Sequence, residues 1–502
     1  MALSVADVAD VAERPVPLRT GIGRAHDTIS TTKTEAQAFY DQGLAYLHSY
    51  VWIEAARSFN QALRIDPTLA IAHAALSLAY TELDAPAQAR AALDRAQAMT
   101  ASAHDKRHVE LRALQTAAEA APRDAAKLTA YRAALDAAVA ALPGDVELWL
   151  ARGQAESSDP AERGQGSPAA SARFYERALS LAPGDFAGHH YLAHAHENSG
   201  AIDQALAESA TYAKMAPGVP HARHMHGHNL RRTGRIDEAI EEFSAADALE
   251  SAYLEAEKIP LEYDWHYQHN LDLLATSYQY VGRMKKAEEL LRRSFAIASP
   301  LLVQEFNKRE WPLFLVARGR AKEALDAAAA LVSHRSPVVS AAGHVAAGEA
   351  RLALGQFKAA ADEANAALRA IRGAEAGGLV AAPLQALQGE FLLRTGQREK
   401  GRSMLQEVAK KARAAPGPDA WTQALFTLEA IAKAAREVGD WEFAAWAAGQ
   451  MRDHDPHYAG THYALMLAAE HDGDAQTARA ERALFERYWK DADRDVPELK
   501  SR

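Results

Sequence analysis

A histidine pattern recurs at an interval of 34 residues within this 502-residue chain. His190 and His194 stand four residues apart, and the same spacing returns at His224 and His228, each 34 residues further along. Self-similarity at a fixed interval indicates a repeat architecture, and an interval of about 34 residues is typical of a helix–turn–helix unit that stacks on copies of itself. The pattern therefore predicts stacked helix pairs and argues against a β-sheet fold.

Small and aromatic residues follow the same interval outside the histidine region. Small residues let two helices approach each other, and aromatic rings fill the space between them. In the first unit these positions hold Gly43, Tyr46, Ala55, Phe59, Ala62 and Pro67, and in the second Leu76, Tyr80, Ala89, Leu93 and Ala96. The pattern continues to Gly473 and Ala478. We expect an all-α fold, an α-solenoid of about twelve helix pairs.

The spacing of the repeats divides the chain into five segments. We expect a flexible leader over residues 1–33 and a tail over 491–502. An N-terminal array of helix pairs covers 34–251 and includes the histidine repeats, and a C-terminal array covers 269–490. The insertion between the arrays, 252–268, contains an unusually aromatic run. We interpret this run as a lid over a binding surface, with packing filler as the alternative.

The repeat pattern resembles that of the tetratricopeptide repeat family over most of the chain. More narrowly, His190-x-x-x-His194-x-x-Glu197, followed one repeat later by His224-Met-x-x-His228, resembles a subgroup of that family. The subgroup includes bacterial forms and the eukaryotic tetratricopeptide repeat protein 38. The resemblance implies that the first helix of each repeat lines a concave groove, and that positions 2, 5, 9 and 12 of the repeat point into this groove.

Numbering each repeat so that Pro183 and Pro217 hold position 32 places the histidines on that surface. His190 and His224 hold position 5, and His194 and His228 hold position 9, so each pair lies on one face of its helix. The other groove positions are held by Glu197 (12), His221 (2), His269 (2) and Asp272 (5). By contrast His189, His196 and His226 fall on faces that pack between helices. Three neighbouring helices thus present imidazoles and carboxylates to one part of the groove.

Imidazoles with one or two carboxylates suit a divalent transition metal rather than magnesium or calcium, so we expect zinc, iron or copper as the cofactor. The candidate metal ligands are His190, His194, Glu197, His224, His228 and His269. Glu197 is also the candidate catalytic residue, as a general base on metal-bound water. The candidate groove or lid residues are His221, Asp264, Trp265, His266, Tyr267 and Asp272. The donors exceed the three of a catalytic zinc site, which leaves open one supported site or two sites.

Two functions fit these residues. The leading hypothesis is a metal-binding repeat protein that acts as an enzyme, a hydrolase if the metal is zinc or an oxidase if it is iron or copper. The alternative is a scaffold without chemistry that binds a peptide or protein partner in the groove. A groove built for an acidic ligand should show Lys, Arg or Asn at positions 5 and 9, and histidine at these positions favours metal. In either case we expect a small-molecule or peptide ligand in the groove.

Composition excludes several other classes of function. The formal net charge of −10 gives no electrostatic reason to expect nucleic acid as a partner. The chain has no cysteine, which excludes disulfides, zinc–thiolate sites and cysteine nucleophiles. No apolar run approaches the roughly 18 residues of a membrane helix, and the first residues do not resemble a secretory signal. We therefore expect a cytoplasmic protein that does not bind membranes.

Overall fold

The computed structural model describes residues 8–156, 167–299, 301–374, 376–415 and 417–500. These residues form α-helices and one 3-10 turn, Leu261–Tyr263, with no β-strand among them. The helices, α1 to α27 in chain order, are Val8–Ala12, Thr34–His48, Trp52–Ile65, Ala70–Glu82, Pro86–Ala98, Ala103–Glu119, Ala125–Ala141, Val146–Gln154, Pro168–Leu181, Ala187–Ser199, Ile202–Met215, Pro220–Arg232, Ile236–Glu257, Trp265–Tyr280, Met284–Phe295, Leu302–Asn307, Glu310–Ala317, Ala321–Val332, Pro337–Ala353, Phe357–Ala370, Gly378–Arg394, Arg398–Ala414, Pro418–Glu437, Trp441–His454, Ala459–Asp472, Ala475–Tyr488 and Pro497–Lys500. The expectation of an all-α fold is confirmed.

The chain divides into two compact units, Met1–Asn270 and Leu271–Arg502. Within the first unit, consecutive helices pack as the pairs α2/α3, α4/α5, α6/α7, α8/α9, α10/α11 and α12/α13. Within the second unit, they pack as the pairs α17/α18, α19/α20, α21/α22, α23/α24 and α25/α26. Each unit is therefore an array of tetratricopeptide-like helix pairs, as the 34-residue interval predicts.

Glycine in the first helix of a pair meets an aromatic ring of the second helix. A Cβ added to Gly43 in α2 would lie 2.3 Å from Cε1 of Phe59 in α3. In the same way, a Cβ on Gly227 in α12 would lie 2.8 Å from Cε1 of Phe243 in α13. The two rings are fully buried. The glycines recur because a larger residue would push the paired helices apart.

The leader differs from its prediction over the residues that the structure describes. Residues 8–33 lie against the helices of the first unit, with Val11 and Val16 buried. The guanidinium of Arg57 in α3 donates hydrogen bonds to the backbone carbonyls of Arg14 and Pro15, at 3.4 and 2.8 Å. The composition of the leader predicted flexibility, but these long-range contacts stabilise an extended path. Residues 1–7 of the leader lie outside the described part of the chain, as do residues 501–502 of the tail.

The predicted insertion, 252–268, is mostly helical. Its first six residues extend α13, which runs for 22 residues and ends before Lys258. The 3-10 turn follows, and α14 begins at Trp265. The insertion therefore supplies a helix extension and the first turn of the next helix, and both lie close to the predicted site. No helix in the described part of the chain is long and apolar enough to span a membrane.

Candidate metal centre

Helices α10 and α12, and the part of α14 that lies in the first unit, carry seven histidines into one buried cluster. Helix α10 contributes two of them, α12 three, and the first turns of α14 two, and none is more than 8% exposed. The cluster consists of His190, His194, His221, His224, His228, His266 and His269. Each helix holds its histidines three or four residues apart, so the rings lie on one face of each helix. We call these seven residues the histidine cluster.

The histidine cluster divides into three overlapping triads. In each triad, one ligand atom from every member lies within 4.8 Å of the corresponding atoms of the other two. The first triad is His190, His194 and His221, the second is His221, His224 and His266, and the third is His224, His228 and His269. The first and third triads share no residue, and the second joins them. The four histidines of the 34-residue pattern therefore do not share one triad: His190 and His194 fall in the first, and His224 and His228 in the third.

In the first triad, three ring nitrogens converge. Nε2 of His190 lies 3.0 Å from Nε2 of His221 and 3.1 Å from Nε2 of His194. Nδ1 of His190 lies 2.6 Å from the carbonyl oxygen of His48, which can only accept, so Nδ1 carries the proton and donates it. A neutral His190 then has one lone pair on Nε2, and one lone pair cannot accept a proton from both neighbours. A cation between the three nitrogens would use all three lone pairs.

Two histidines of the second triad, His224 and His266, also have Nδ1 beside an acceptor. Nδ1 of His224 donates to Oδ1 of Asn270 at 2.9 Å, and the Asn270 amide is oriented by its own hydrogen bond to the carbonyl of Phe243. Nδ1 of His266 lies 2.7 Å from Oε1 of Glu250. In both histidines Nε2 is buried and has no hydrogen-bond partner among the described residues. Metal-bound histidines typically have their other nitrogen fixed in this way.

Burial lowers the pKa of four imidazoles of the cluster and so favours their neutral form. It lowers the pKa of His221 and His224 well below the ordinary value, and the neighbouring histidines lower it further. Burial lowers the pKa of His228 to about 4, although the carboxylate of Glu197 acts in the opposite direction. The pKa of His266 is also lowered to about 4, mainly by burial. Neutral imidazoles keep the lone pairs that a metal ion requires.

Glu197 lies beside the cluster but outside its three triads. Its Oε2 is 3.5 Å from Nδ1 of His228, and its Oε1 is 3.7 Å from Nη1 of Arg232. Nε2 of His228 is buried and has no hydrogen-bond partner among the described residues. Nδ1 of His228 and both carboxylate oxygens of Glu197 are likewise buried without a hydrogen-bond partner there, so the 3.5 Å contact only places Glu197 beside Nδ1 of the ring. This contact suits a residue that orients His228, and the predicted roles of Glu197 as metal ligand and general base stay predictions.

Some of the remaining groove and lid candidates belong to the histidine cluster, and others contact it or lie outside it. His221 and His266 are members of triads, whereas Asp264 accepts a hydrogen bond from the backbone N–H of Tyr267 at 3.3 Å and so caps α14. The Trp265 ring stacks on His269 with centroids 5.5 Å apart. Asp272 lies in the second unit and belongs to none of the triads. The insertion thus supplies one candidate ligand and one covering ring.

Two bystander histidines lie on the faces where the repeat numbering places them. Nδ1 of His189 is 2.5 Å from Oε2 of Glu208 in α11, and Nδ1 of His226 is 3.3 Å from Oε1 of Glu242 in α13. Both rings therefore face the second helix of their pair. These contacts confirm the interpretation that the two residues pack between helices.

Sequence reasoning missed the residues that enclose the cluster. Tyr50 follows α2 with a φ of 59°, a backbone conformation that non-glycine residues rarely adopt. Its ring centroid lies 4.7 Å from His190 and 5.2 Å from His221. The indole N–H of Trp265 donates to the Tyr50 carbonyl at 3.0 Å. Tyr50 comes from a different repeat, about 140 residues before His190, so no local pattern reveals it.

A cavity of about 130 Å³ adjoins this aromatic cover. It opens between α2, α4, α6 and α8 in the first unit, and Tyr50 and Trp52 form part of its wall. Its polar lining includes His48, Arg112 and Glu147. Ligand sites for drug-sized molecules are usually several hundred Å³, so this cavity suits one side chain or a very small molecule.

Comparison with known proteins supports no further assignment. No protein-family model matches the chain, and no curated protein matches it. Among solved structures, the chain is similar to one in the APC/C hetero-tetramer Cut9–Hcn1, with 13% identity, a TM-score of 0.36, and coverage of 95% of this chain and 77% of that one. It is also similar to yeast Tom70, with 11% identity, a TM-score of 0.40, and coverage of 84% and 93%. Such low scores transfer neither partner nor activity.

The class of this protein therefore follows from its own fold and site. It is an all-α protein of tetratricopeptide-like helix pairs, and three adjacent first helices of its first unit enclose a histidine cluster.

Proposed function

We propose that this protein binds transition-metal ions in the histidine cluster. The observation that carries the proposal is the arrangement of nitrogens: Nδ1 of His190, His224 and His266 each lies against an acceptor. Nε2 of His190 lies within 3.1 Å of Nε2 of His194 and His221, and other ring nitrogens of the cluster are buried without a hydrogen-bond partner among the described residues. Leaving several buried nitrogens without partners costs roughly 1–3 kcal/mol each. Coordination of these nitrogens to a metal ion would offset that cost.

The partition into triads supports two ions per cluster. The first and third triads share no histidine, so each can offer three ring nitrogens to its own ion. His266 lies between them and is available as a further ligand to either. Imidazole-only coordination suits zinc, copper, iron or nickel. Cation choice among these is set by the open positions and by metal supply rather than by the imidazoles themselves.

Catalysis extends this proposal. An ion held by three histidines keeps coordination positions open for water or substrate, as catalytic zinc sites do. Hydrolysis with zinc and oxidation with iron or copper stay predictions, and so does membership of the subgroup that shares the paired histidine motif. Because Glu197 faces Nδ1 of His228, we assign it to the support of that ligand.

The proposal is tested by metal analysis of untagged full-length protein. We expect about two transition-metal ions per chain in the histidine cluster, on the basis of its two disjoint triads. His224→Gln, which removes a member of two triads, should lower the ion count. His226→Gln is the matched control, since it lies on the same helix but faces Glu242. Equal metal content in wild type and His224→Gln, with both folded, would overturn the proposal.

A second candidate function, binding of a partner's side chain without chemistry, is favoured by the cavity beside Tyr50. Ala75 of α4 lines this cavity, and Ala75→Phe would fill it. If the scaffold hypothesis is correct, peptides that bind the metal-free protein should lose binding in Ala75→Phe while its metal content stays unchanged. Peptide binding that survives in Ala75→Phe would exclude this cavity as the partner site.

A further inference from the structure

A second group of histidines lies in the first unit, apart from the histidine cluster. His104 and His108 are four residues apart in α6, so their rings lie on one face, with centroids 4.7 Å apart. Asp27 of the leader approaches the same point, and the three side chains offer ligand atoms within 4.8 Å of one another. Asp145, the residue before α8, also contacts both rings. We call these four residues the aspartate–histidine cluster.

The donor atoms converge at distances that suit one ion. Nε2 of His104 lies 3.1 Å from Oδ1 of Asp27 and 3.2 Å from Oδ2 of Asp145. Nε2 of His108 lies 2.9 Å from the same Oδ2 of Asp145. Ligands of a tetrahedral ion with bonds near 2.0–2.1 Å are roughly 3.3 Å apart. Small shifts of these four side chains would therefore place two nitrogens and two oxygens around a cation.

The remaining atoms of these side chains are held by the surrounding structure. Nδ1 of His104 lies 3.0 Å from Oδ1 of Asp105, which turns Nε2 toward the cluster. Oδ1 of Asp145 accepts the backbone N–H of Leu148 at 3.1 Å and caps α8, which leaves Oδ2 for the histidines. The backbone carbonyl of Asp27 accepts a hydrogen bond from the side chain of Gln37 at 2.8 Å. The donors are thus pre-oriented by three separate contacts.

One buried oxygen of the aspartate–histidine cluster has no hydrogen-bond partner among the described residues. Asp27 is 9% exposed, and its Oδ2 is buried with no hydrogen-bond partner among the described residues. Three carboxylates, those of Asp27, Asp105 and Asp145, meet here against only two imidazoles. A network of ion pairs would leave this oxygen unsatisfied and the site negative, whereas a divalent cation would satisfy both.

We propose that Asp27, His104, His108 and Asp145 form a second metal site, which takes a divalent ion such as zinc or manganese and fastens the leader to α6 and α8. Two imidazoles with two carboxylates are a donor set for these ions. The side chain of His104 is 25% exposed, so the ion can enter from solvent. The proposal shares no residue with the histidine cluster and holds whether or not that cluster binds metal.

The site is tested by titrating metal-stripped full-length protein with Co²⁺ and following the visible absorption of tetrahedral cobalt. We expect Asp27→Asn and His108→Gln each to bind one ion fewer than wild type, whereas His224→Gln retains this ion. His26→Gln is the matched control, because this leader histidine is exposed and pairs with Asp41 instead. Asp105→Asn, which removes a positioning residue, should weaken binding about 10–100-fold. The same ion count in wild type, Asp27→Asn and His108→Gln would mean an ion-pair network only.

A second measurement does not depend on variants. Amide hydrogen exchange of wild-type protein, with and without zinc, should slow over residues 25–31 when the metal binds, because the ion joins Asp27 to two helices. Zinc binding with unchanged exchange in this segment would contradict the proposal even if a variant failed to fold.

Discussion

The two groups of histidines in the first unit differ in how they are built. The histidine cluster is fully buried, consists of imidazoles alone and is assembled from three successive first helices of the repeat array. The aspartate–histidine cluster is partly exposed, mixes imidazoles with carboxylates and joins the leader to two helices. Histidine at repeat positions 2, 5 and 9 of successive first helices produced most of the first, whereas packing of a non-repeating segment produced the second. The difference indicates that burial among other imidazoles lowers a histidine pKa, whereas neighbouring aspartates raise it, within the same helical array.

The largest expected effect is the loss of unfolding free energy when metal is removed from the histidine cluster. An ion that binds the folded state alone adds about 2.7 kcal/mol at a hundredfold excess over its dissociation constant. Two ions in the histidine cluster should therefore add about 5 kcal/mol, and chelation should remove it. We would measure denaturant unfolding with and without chelator for wild type and His228→Ala. His228→Ala should respond less to chelator than wild type, and an equal response would contradict the assignment of His228.

The next effect is the change in the free energy of unfolding of metal-free protein as the pH is lowered. The two clusters should contribute to this change with opposite signs. The folded-state pKa of about 4 for His228 and His266 lies below the unfolded value of 6.5, so their contribution is complete above pH 6.5 and is lost as the pH falls toward 4. As the pH falls from 7 to 5, protonation of each of these two histidines should lower the free energy of unfolding by about 2 kcal/mol. Comparing wild type with His266→Gln at both pH values measures this loss.

His104 provides the opposite sign. Hydrogen bonds that the ring donates to the carboxylates of Asp105, Asp145 and Asp27 raise the pKa of His104 to about 12, so its contribution is complete below pH 6.5 and is lost as the pH rises toward 12. From pH 7 to 5, metal-free wild type should gain relative to His104→Gln, by less than about 1 kcal/mol because solvent screens the partly exposed ring. A gain for His104→Gln at low pH would show that the aspartates do not hold this ring protonated.

A packing change should disturb one cluster and spare the other. Gly227→Ala would push a methyl group against Phe243 and shift α12, at a cost of about 1–3 kcal/mol. The ion count of the histidine cluster should fall with it, while the aspartate–histidine cluster should keep its ion. Gly449→Ala is the control, because no atom lies within 4 Å of the added Cβ and the helix should gain up to about 1 kcal/mol. Melting curves and metal counts of both variants test the comparison.

The smallest change acts on one oriented ring. Asn270→Leu removes the acceptor for Nδ1 of His224, and we expect metal affinity in the histidine cluster to fall about 10–100-fold with little change in fold. Asp105→Asn is its counterpart in the aspartate–histidine cluster. Competition with a chelator of known affinity measures both, and a loss that appears in the wrong cluster would contradict the separation of the two sites.

The features that could be predicted from the sequence are those that recur with the repeat. The 34-residue interval indicated helix pairs, and helical spacing placed His190, His194, His224, His228 and His269 on facing surfaces. It did not indicate which neighbours fix each ring, because Glu250 belongs to the extended α13 and the amide of Asn270 is oriented by a backbone carbonyl.

Contacts between distant segments explain the rest. Tyr50 and the aspartate–histidine cluster depend on the path of the leader and on a loop before α8, for which no sequence periodicity exists. His104 and His108 are four residues apart in a helix that matches the repeat pattern poorly, so this spacing was the only local signal. Asp272, by contrast, fits the numbering of the repeat but lies beyond Asn270, in the second unit.

The most direct test of the account is a crystal structure of protein purified without a histidine tag, with anomalous scattering recorded at the edges of zinc, copper and iron. We expect a metal peak about 2.0–2.1 Å from Nε2 of His190, His194 and His221, and a second beside the ring nitrogens of His224, His228 and His269. Absence of any anomalous peak within the histidine cluster, in crystals grown with added metal, would contradict the central claim.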